Sequence, residues 1–155
     1  MTWGFILSQF IFAMLAVCGF AILFRVPLKH IPVCVTVGAL CWICYQVSMH
    51  YWDSPVLAVF IGSCLAGLLS DICSRLFKEA ATMFTIPCMI PLVPGAKIYY
   101  TMVALLDHDT ETTATIGTET LMMAGAIAAG LLITGALIGI VRRILQKTRG
   151  LKVRL

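Results

Sequence analysis

Long runs of apolar residues are the feature that most limits what this chain can fold into. A helix that crosses a bilayer needs about 20 mostly apolar residues, and runs of that kind recur along the 155 residues. Hydrophobic residues make up 61% of the chain and charged residues 12%, against roughly 45–50% and about 25% in soluble domains. Together with a mean hydropathy of +1.00, this composition indicates an integral membrane protein.

We therefore predict an all-α, polytopic membrane bundle that forms a single domain over residues 1–155. It should contain about five transmembrane helices and a basic cytoplasmic tail at 142–155. The predicted spans are 3–24, 31–49, 55–72, 83–106 and 118–141. No internal repeat is visible.

The distribution of charge predicts the orientation of the bundle. Basic residues follow the first span (Arg25, Lys29), follow the third (Arg75, Lys78) and fill the tail, whereas the other connections carry Asp53, Asp107, Asp109 and Glu111. Because short cytoplasmic loops are enriched in Lys and Arg, we expect the N-terminus outside and the C-terminus inside. Four spans, with 31–49 re-entrant, would put basic clusters on both faces. We assign the excess positive charge to topology and expect no nucleic-acid partner.

The predicted fourth span is interrupted by the run FTIPCMIPLVPGAKIYY, residues 84–100. Pro87, Pro91 and Pro94 each lack a backbone donor and cannot share one straight helix. We expect a break at Pro94-Gly95 near mid-membrane, with the N-terminus of the second half-helix facing the bundle interior. Half-helices of this kind bind anionic groups in secondary transporters. The alternative is a proline kink that only shapes packing.

Lys97 is the one basic residue that this topology places inside the membrane. A charge at mid-bilayer costs about 2.5 kcal/mol or more, so it normally has a partner. We expect none within the chain, because Asp71 lies near the inner end of its span and Glu119 near the outer end of another. The remaining choices are a bound carboxylate, an acid of another subunit, or a neutral or snorkelling lysine. A hydroxyl from Tyr99 or Tyr100 would then hydrogen-bond the same carboxylate.

Two further groups of residues yield weaker predictions. Asp71 and Arg75 are spaced for an ion pair on one helical face, and Asp71 or Glu119 is a candidate for proton coupling. Gly135 and Gly139 form a GxxxG motif, which lets helices approach closely, either within the chain or against a partner.

No catalytic or metal-binding pattern stands out, so we expect no enzyme, no cofactor and no metal site. Cys41 and Cys44 have redox-motif spacing but lack the βαβ context of such a motif. The seven cysteines are expected to be buried, inert thiols. A channel stays open as an alternative, although no filter motif or charged ring is visible.

The segment TMFTIPCMIPLVPGAKIYYTM, residues 82–102, resembles the small-subunit signature of the threonine/serine exporter (ThrE) family. In that signature a proline-rich run ends in Pro-Gly and is followed by a tyrosine. Residues 19–27, GFAILFRVP, are similar to the family's first span and turn. Pro91, Pro94, Gly95 and Tyr99 match the pattern, whereas Lys97 departs from the small or polar residue found there.

The resemblance implies the stand-alone small subunit (YjjB-like) of a two-component exporter. Its partner would be a larger YjjP-like membrane subunit, in a hetero-oligomer of a bacterial inner membrane surrounded by lipid. Its substrates would be small carboxylates, namely threonine and serine or a dicarboxylate such as succinate. The predicted binding residues are Pro91, Pro94, Gly95, Lys97 and Tyr99. The alternative function is a non-transporting scaffold that stabilises a partner containing the pathway.

Overall fold

The computed structural model describes residues 3–152, with side chains at residue 4 and over 6–144. The described chain is helical apart from short turns. The helices are α1 (Trp3–Leu23), α2 (Ile31–Trp52), α3 (Pro55–Phe77), α4 (Ala81–Met89), α5 (Gly95–Leu106) and α6 (Thr110–Lys152), with single 3-10 turns at Leu28–His30 and Ile90–Leu92. This confirms the predicted all-α membrane bundle.

Four residues with a left-handed backbone conformation form the turns that follow α1, α2, α3 and α5. Arg25, Asp53, Lys78 and His108 have φ between 48° and 58°. The Asp53 and Lys78 N–H groups then cap α2 and α3 by bonding the Met49 and Ser74 carbonyls. A non-glycine residue in this region costs about 1–2 kcal/mol, which the capping bonds offset in part.

Helices α1, α3 and α4 pack around α2, mainly through small side chains. Val17, Cys34, Cys41, Phe84 and Cys88 are fully buried where these helices meet. Small residues permit this close packing of helices in a membrane, where no hydrophobic force draws one helix to another.

Helix α6 runs parallel to α3 and approaches it most closely at Gly130. A Cβ at Gly130 would lie 2.0 Å from the Ser63 Oγ and 3.0 Å from the Phe60 carbonyl oxygen. One turn further along both helices, Gly67 meets the Thr134 side chain, so the residue numbers rise together. Only glycine fits at position 130.

The direction of α6 shows that α4 and α5 cross the bundle together. Glu79, in the turn before α4, pairs with Lys29 and His30 of the first turn, so both turns lie at one end, here called the inner end. Helix α6 ends there too, because Arg142 pairs with Asp71 of α3. It must therefore start at the opposite, outer end, so the described helices run through the bundle five times when the bent pair α4 and α5 is counted as one crossing. The orientation of these ends in a cell stays a prediction.

The fourth crossing is broken where the prolines predict. After α4 and the turn Ile90–Leu92, helix α5 starts at Gly95, and the two halves differ in direction by 51°. Leu92 packs on Gly62, about 11 Å along α3 from its outer end at 1.5 Å per residue. The break is therefore nearer the outer end than the expected mid-membrane position, because α3 is about 34 Å long.

The last helix starts well before the predicted span 118–141. The Asp109 carboxylate accepts a hydrogen bond from the Thr112 N–H at 3.1 Å and caps α6. Hydrogen bonds from the Thr112 side chain and backbone lower the pKa of Asp109. Counting back along the parallel pair from Ser63 and Gly130, Met122 is level with Pro55, the first residue of α3. The stretch 110–121 thus extends past the start of α3 and packs on α5.

We expect Gly130→Ala to lower the thermal stability of the detergent-solubilised chain. The added methyl would overlap Ser63 and the backbone at Phe60, and overpacking of this kind costs about 1–3 kcal/mol. Gly125→Ala is the control on the same helix, because a Cβ there meets nothing within 4 Å. Equal melting temperatures for Gly130→Ala and Gly125→Ala would contradict the close α3–α6 contact.

Candidate functional site

A cavity of about 180 Å³, here called the outer cavity, lies beside the break in the fourth crossing. One wall is the broken segment itself, from Pro91 to Lys97. The facing side chains are Trp42 and Tyr45 of α2 and Met123 of α6. Four of the five predicted binding residues therefore border one space, namely Pro91, Pro94, Gly95 and Lys97.

The N-terminus of α5 supplies unpaired backbone donors to this cavity. The Gly95 N–H bonds the Val93 carbonyl at 2.8 Å, and the first bond of the helix runs from Ile98 to Pro94 at 3.0 Å. Pro94 offers no side-chain cap. The N–H groups of Ala96 and Lys97 thus have no carbonyl inside the helix, and they lie at its positive dipole end.

Lys97 has a partner within the chain, so the expectation that it has none was wrong. Its Nζ lies 2.5 Å from the Glu119 Oε2, with 31% and 35% of the two side chains exposed. Glu119 looked too distant because the predicted span began at 118, whereas α6 begins at Thr110 and carries Glu119 alongside α5. The pair lies near the outer end of the bundle, where a charge costs less than at mid-bilayer.

Two glutamines in the wall behind the outer cavity were absent from the sequence predictions. The Trp42 Nε1 donates to the Gln9 Oε1 at 3.0 Å, and the Gln46 Nε2 donates to the same oxygen at 3.3 Å. Trp42 also stacks on Tyr45 at 5.1 Å between ring centroids. The available signal was the presence of Gln9 and Gln46 inside predicted spans, since polar residues there face the bundle interior.

Tyr99 is the predicted binding residue that the structure does not bring to the cavity. Its side chain is 65% exposed and that of Tyr100 is 58% exposed. The two rings contact each other edge to face on the surface of α5. The structure therefore brings neither hydroxyl to the position beside Lys97 where a shared carboxylate was expected.

The predicted ion pair between Asp71 and Arg75 is present, with the Arg75 Nε 2.7 Å from Asp71 Oδ2. Arg142 of α6 binds the other carboxylate oxygen. Both candidates for proton coupling, Asp71 and Glu119, are therefore held in ion pairs, and a proton-coupling role for either stays a prediction.

The GxxxG motif does not form the close helix contact of this chain. A Cβ at Gly135 or Gly139 would meet nothing within 4 Å, and both residues line a second cavity near Asp71. The close approach occurs at Gly130 and Gly67 instead. A role for Gly135 and Gly139 in packing against another chain stays a prediction.

Comparison with known proteins identifies the family. The family model described as "Threonine/Serine exporter, ThrE" matches residues 9–137, which include the five crossings almost completely. The chain belongs to the threonine/serine exporter (ThrE) family. It is thus a multi-pass membrane protein of a family that is described by its threonine/serine exporters.

A relative from Haemophilus influenzae is described as an uncharacterized protein. It is 29% identical over 101 residues, which cover 65% of this chain and 34% of the relative. The matched region of this chain therefore spans about a third of that relative's length. No solved structure matches.

We expect a double-mutant cycle to give a favourable coupling energy between Lys97 and Glu119 in the free energy of unfolding. Lys97→Met and Glu119→Gln each leave one partner unpaired, so the double variant should be more stable than the sum of the single losses implies. Because both side chains are about one-third exposed, the coupling should be about 1 kcal/mol or less. Thermal unfolding in detergent measures it. Additive losses would mean that the pair does not form.

Proposed function

We propose that this ThrE protein is the small membrane subunit of a two-component secondary exporter in a bacterial inner membrane. It would work with a larger YjjP-like subunit and export small carboxylates, namely threonine and serine or a dicarboxylate such as succinate. The observation that supports this proposal best is the outer cavity, where a half-helix N-terminus and the Lys97 ammonium meet.

The outer cavity would bind the carboxylate with groups that prefer negative charge. The N–H groups of Ala96 and Lys97 donate to one carboxylate oxygen, and the Lys97 ammonium adds a charge-assisted bond. The volume of about 180 Å³ is below the roughly 300–1,000 Å³ of drug-sized ligand pockets, which suits a small metabolite.

Glu119 would act as a built-in competitor for Lys97. A solute carboxylate must share or displace the Glu119 carboxylate to reach the ammonium, and re-formation of the ion pair favours release. Protonation of Glu119 would free Lys97, which is the simplest way to couple export to protons. Both steps take place near the outer end, where an exporter releases its solute.

Tyr99 would take a different role from the one its sequence position suggests. It follows the family pattern, yet its ring lies on the exposed face of α5. We propose that it contacts the larger subunit. Helix α5 packs on α6, which leaves this face available.

Export assays should detect the loss of carboxylate binding at the outer cavity. With the larger subunit co-expressed in cells that accumulate succinate, Lys97→Met should lower succinate efflux by about tenfold, the size expected for one lost charge-assisted bond. Pro94→Ala should lower efflux as well, because alanine lets the helix continue across the break. Lys97→Arg, which keeps the charge, should retain more efflux than Lys97→Met. Immunoblots of the membranes control for the amount of protein.

If Tyr99 contacts the larger subunit, Tyr99→Phe should also lower succinate efflux. Tyr100→Phe is the matched control, because both rings are exposed on the same helix. Wild-type efflux by both Lys97→Met and Pro94→Ala would disprove the assignment of the outer cavity.

The scaffold alternative predicts that the purified chain binds no labelled succinate and that only the complex with the larger subunit does.

A further inference from the structure

A second cavity, here called the inner cavity, lies at the opposite end of the bundle. It has a volume of about 380 Å³ and is bordered by α3, α4 and α6. Its polar lining consists of Asp71, Thr85 and Arg142, and its floor includes Gly135 and Gly139. The outer cavity uses none of these residues.

Arg142 supplies the inner cavity with positive charge and with spare donors. A guanidinium has five N–H donors, and its contact with Asp71 is made through Nη2. Arg75 occupies the other oxygen of Asp71, so two cations face one carboxylate and positive charge remains. Asp71, with 12% of its side chain exposed, thereby positions Arg142 without neutralising the cluster.

The N-terminus of α4 also borders the inner cavity. Ala81, the first residue of this nine-residue helix, lines it. The first turn closes with a bond from Met83 to Ala80, and Ala80 gives no side-chain cap. The N–H groups of Ala81 and Thr82 therefore have no carbonyl within the helix. The positive dipole end and the Arg142 guanidinium thus act on the same space.

We propose that the inner cavity is a binding site for the carboxylate of the exported solute, where the solute is taken up before it crosses. Arg142 binds the carboxylate, the α4 N-terminus donates hydrogen bonds to it, and Gly135 and Gly139 leave room for it. The Thr85 hydroxyl donates to the Ala81 carbonyl and contributes polar lining only. This inference rests on the proposed export function. Each of the two half-helices would then present its N-terminus to one carboxylate site, at opposite ends of the bundle.

Equilibrium binding of radiolabelled succinate to the full-length purified chain tests the inner cavity. The parent protein carries Lys97→Met, so that the outer cavity does not contribute to the signal. Arg142→Gln removes the charge. Gly139→Val fills the cavity and leaves Arg142 in place, and a Cβ at Gly139 meets nothing within 4 Å. We expect Arg142→Gln to weaken succinate binding by about tenfold, the size expected for one lost charge-assisted contact. Gly139→Val should also weaken binding, because the valine side chain takes the space that the carboxylate needs.

Two matched controls separate the inner cavity from general effects on α6. Arg143→Gln makes the same charge change one position further along, at an exposed side chain outside the cavity. Gly125→Val makes the same volume change at a glycine that also has open space around it. Both should bind succinate like the parent, and thermal unfolding confirms that every variant is folded.

Three results would overturn the proposal. The first is a parent protein without saturable succinate binding. The second is parent-like affinity in either Arg142→Gln or Gly139→Val. The third is loss of succinate binding in nanodiscs containing phosphatidylglycerol but not in phosphatidylcholine nanodiscs, because an anionic lipid headgroup would then occupy the site. Export by the outer-cavity variants is a separate measurement, so failure of the proposed function and failure of the inner cavity are distinguishable.

Discussion

The parallel contact between α3 and α6 determines where the charged groups of this protein meet. At Gly130, the absence of a side chain lets α6 pack directly against Ser63 and the Phe60 carbonyl of α3. Because the helix is rigid, this one contact sets the position of every residue along it. Glu119, three turns before Gly130, reaches Lys97, and Arg142, about three turns after it, reaches Asp71. A shift of α6 by one residue would rotate both partners away by about 100°.

The broken crossing gives the bundle two helix N-termini where an unbroken span would give one. In a membrane, free backbone donors persist only beside protein or a polar cavity. Here α4 begins at the inner cavity and α5 at the outer cavity, and each cavity also contains a cation held by a carboxylate. In both places a solute carboxylate would meet the same combination of donors, cation and competing acid. That arrangement fits a carrier that takes up a solute at one end and releases it at the other.

Several features could be predicted because they depend on local chemistry. These are the helical content, the break in the fourth crossing and the grouping of four residues around that break. Apolar length requires a span, and proline ends a helix wherever it falls. The partner of Lys97 could not be predicted, because it depends on how far α6 extends beyond α3. The threonines and acids of 110–119 resemble a loop in hydropathy, yet they form the first turns of a long helix capped by Asp109.

The sequence by itself determined that this chain is a helical membrane protein with a broken span at Pro94-Gly95, and it pointed to the exporter family. Hydropathy, proline chemistry and a proline-glycine signature are properties of adjacent residues, so no tertiary information was needed. Only the tertiary structure decided that Glu119 neutralises Lys97, that Tyr99 faces outward, and that Gly135 and Gly139 border a cavity beside Arg142. Those relations depend on the register and direction of α6 against α3 and α5, and a contact between distant segments is not encoded in the pattern of either segment alone.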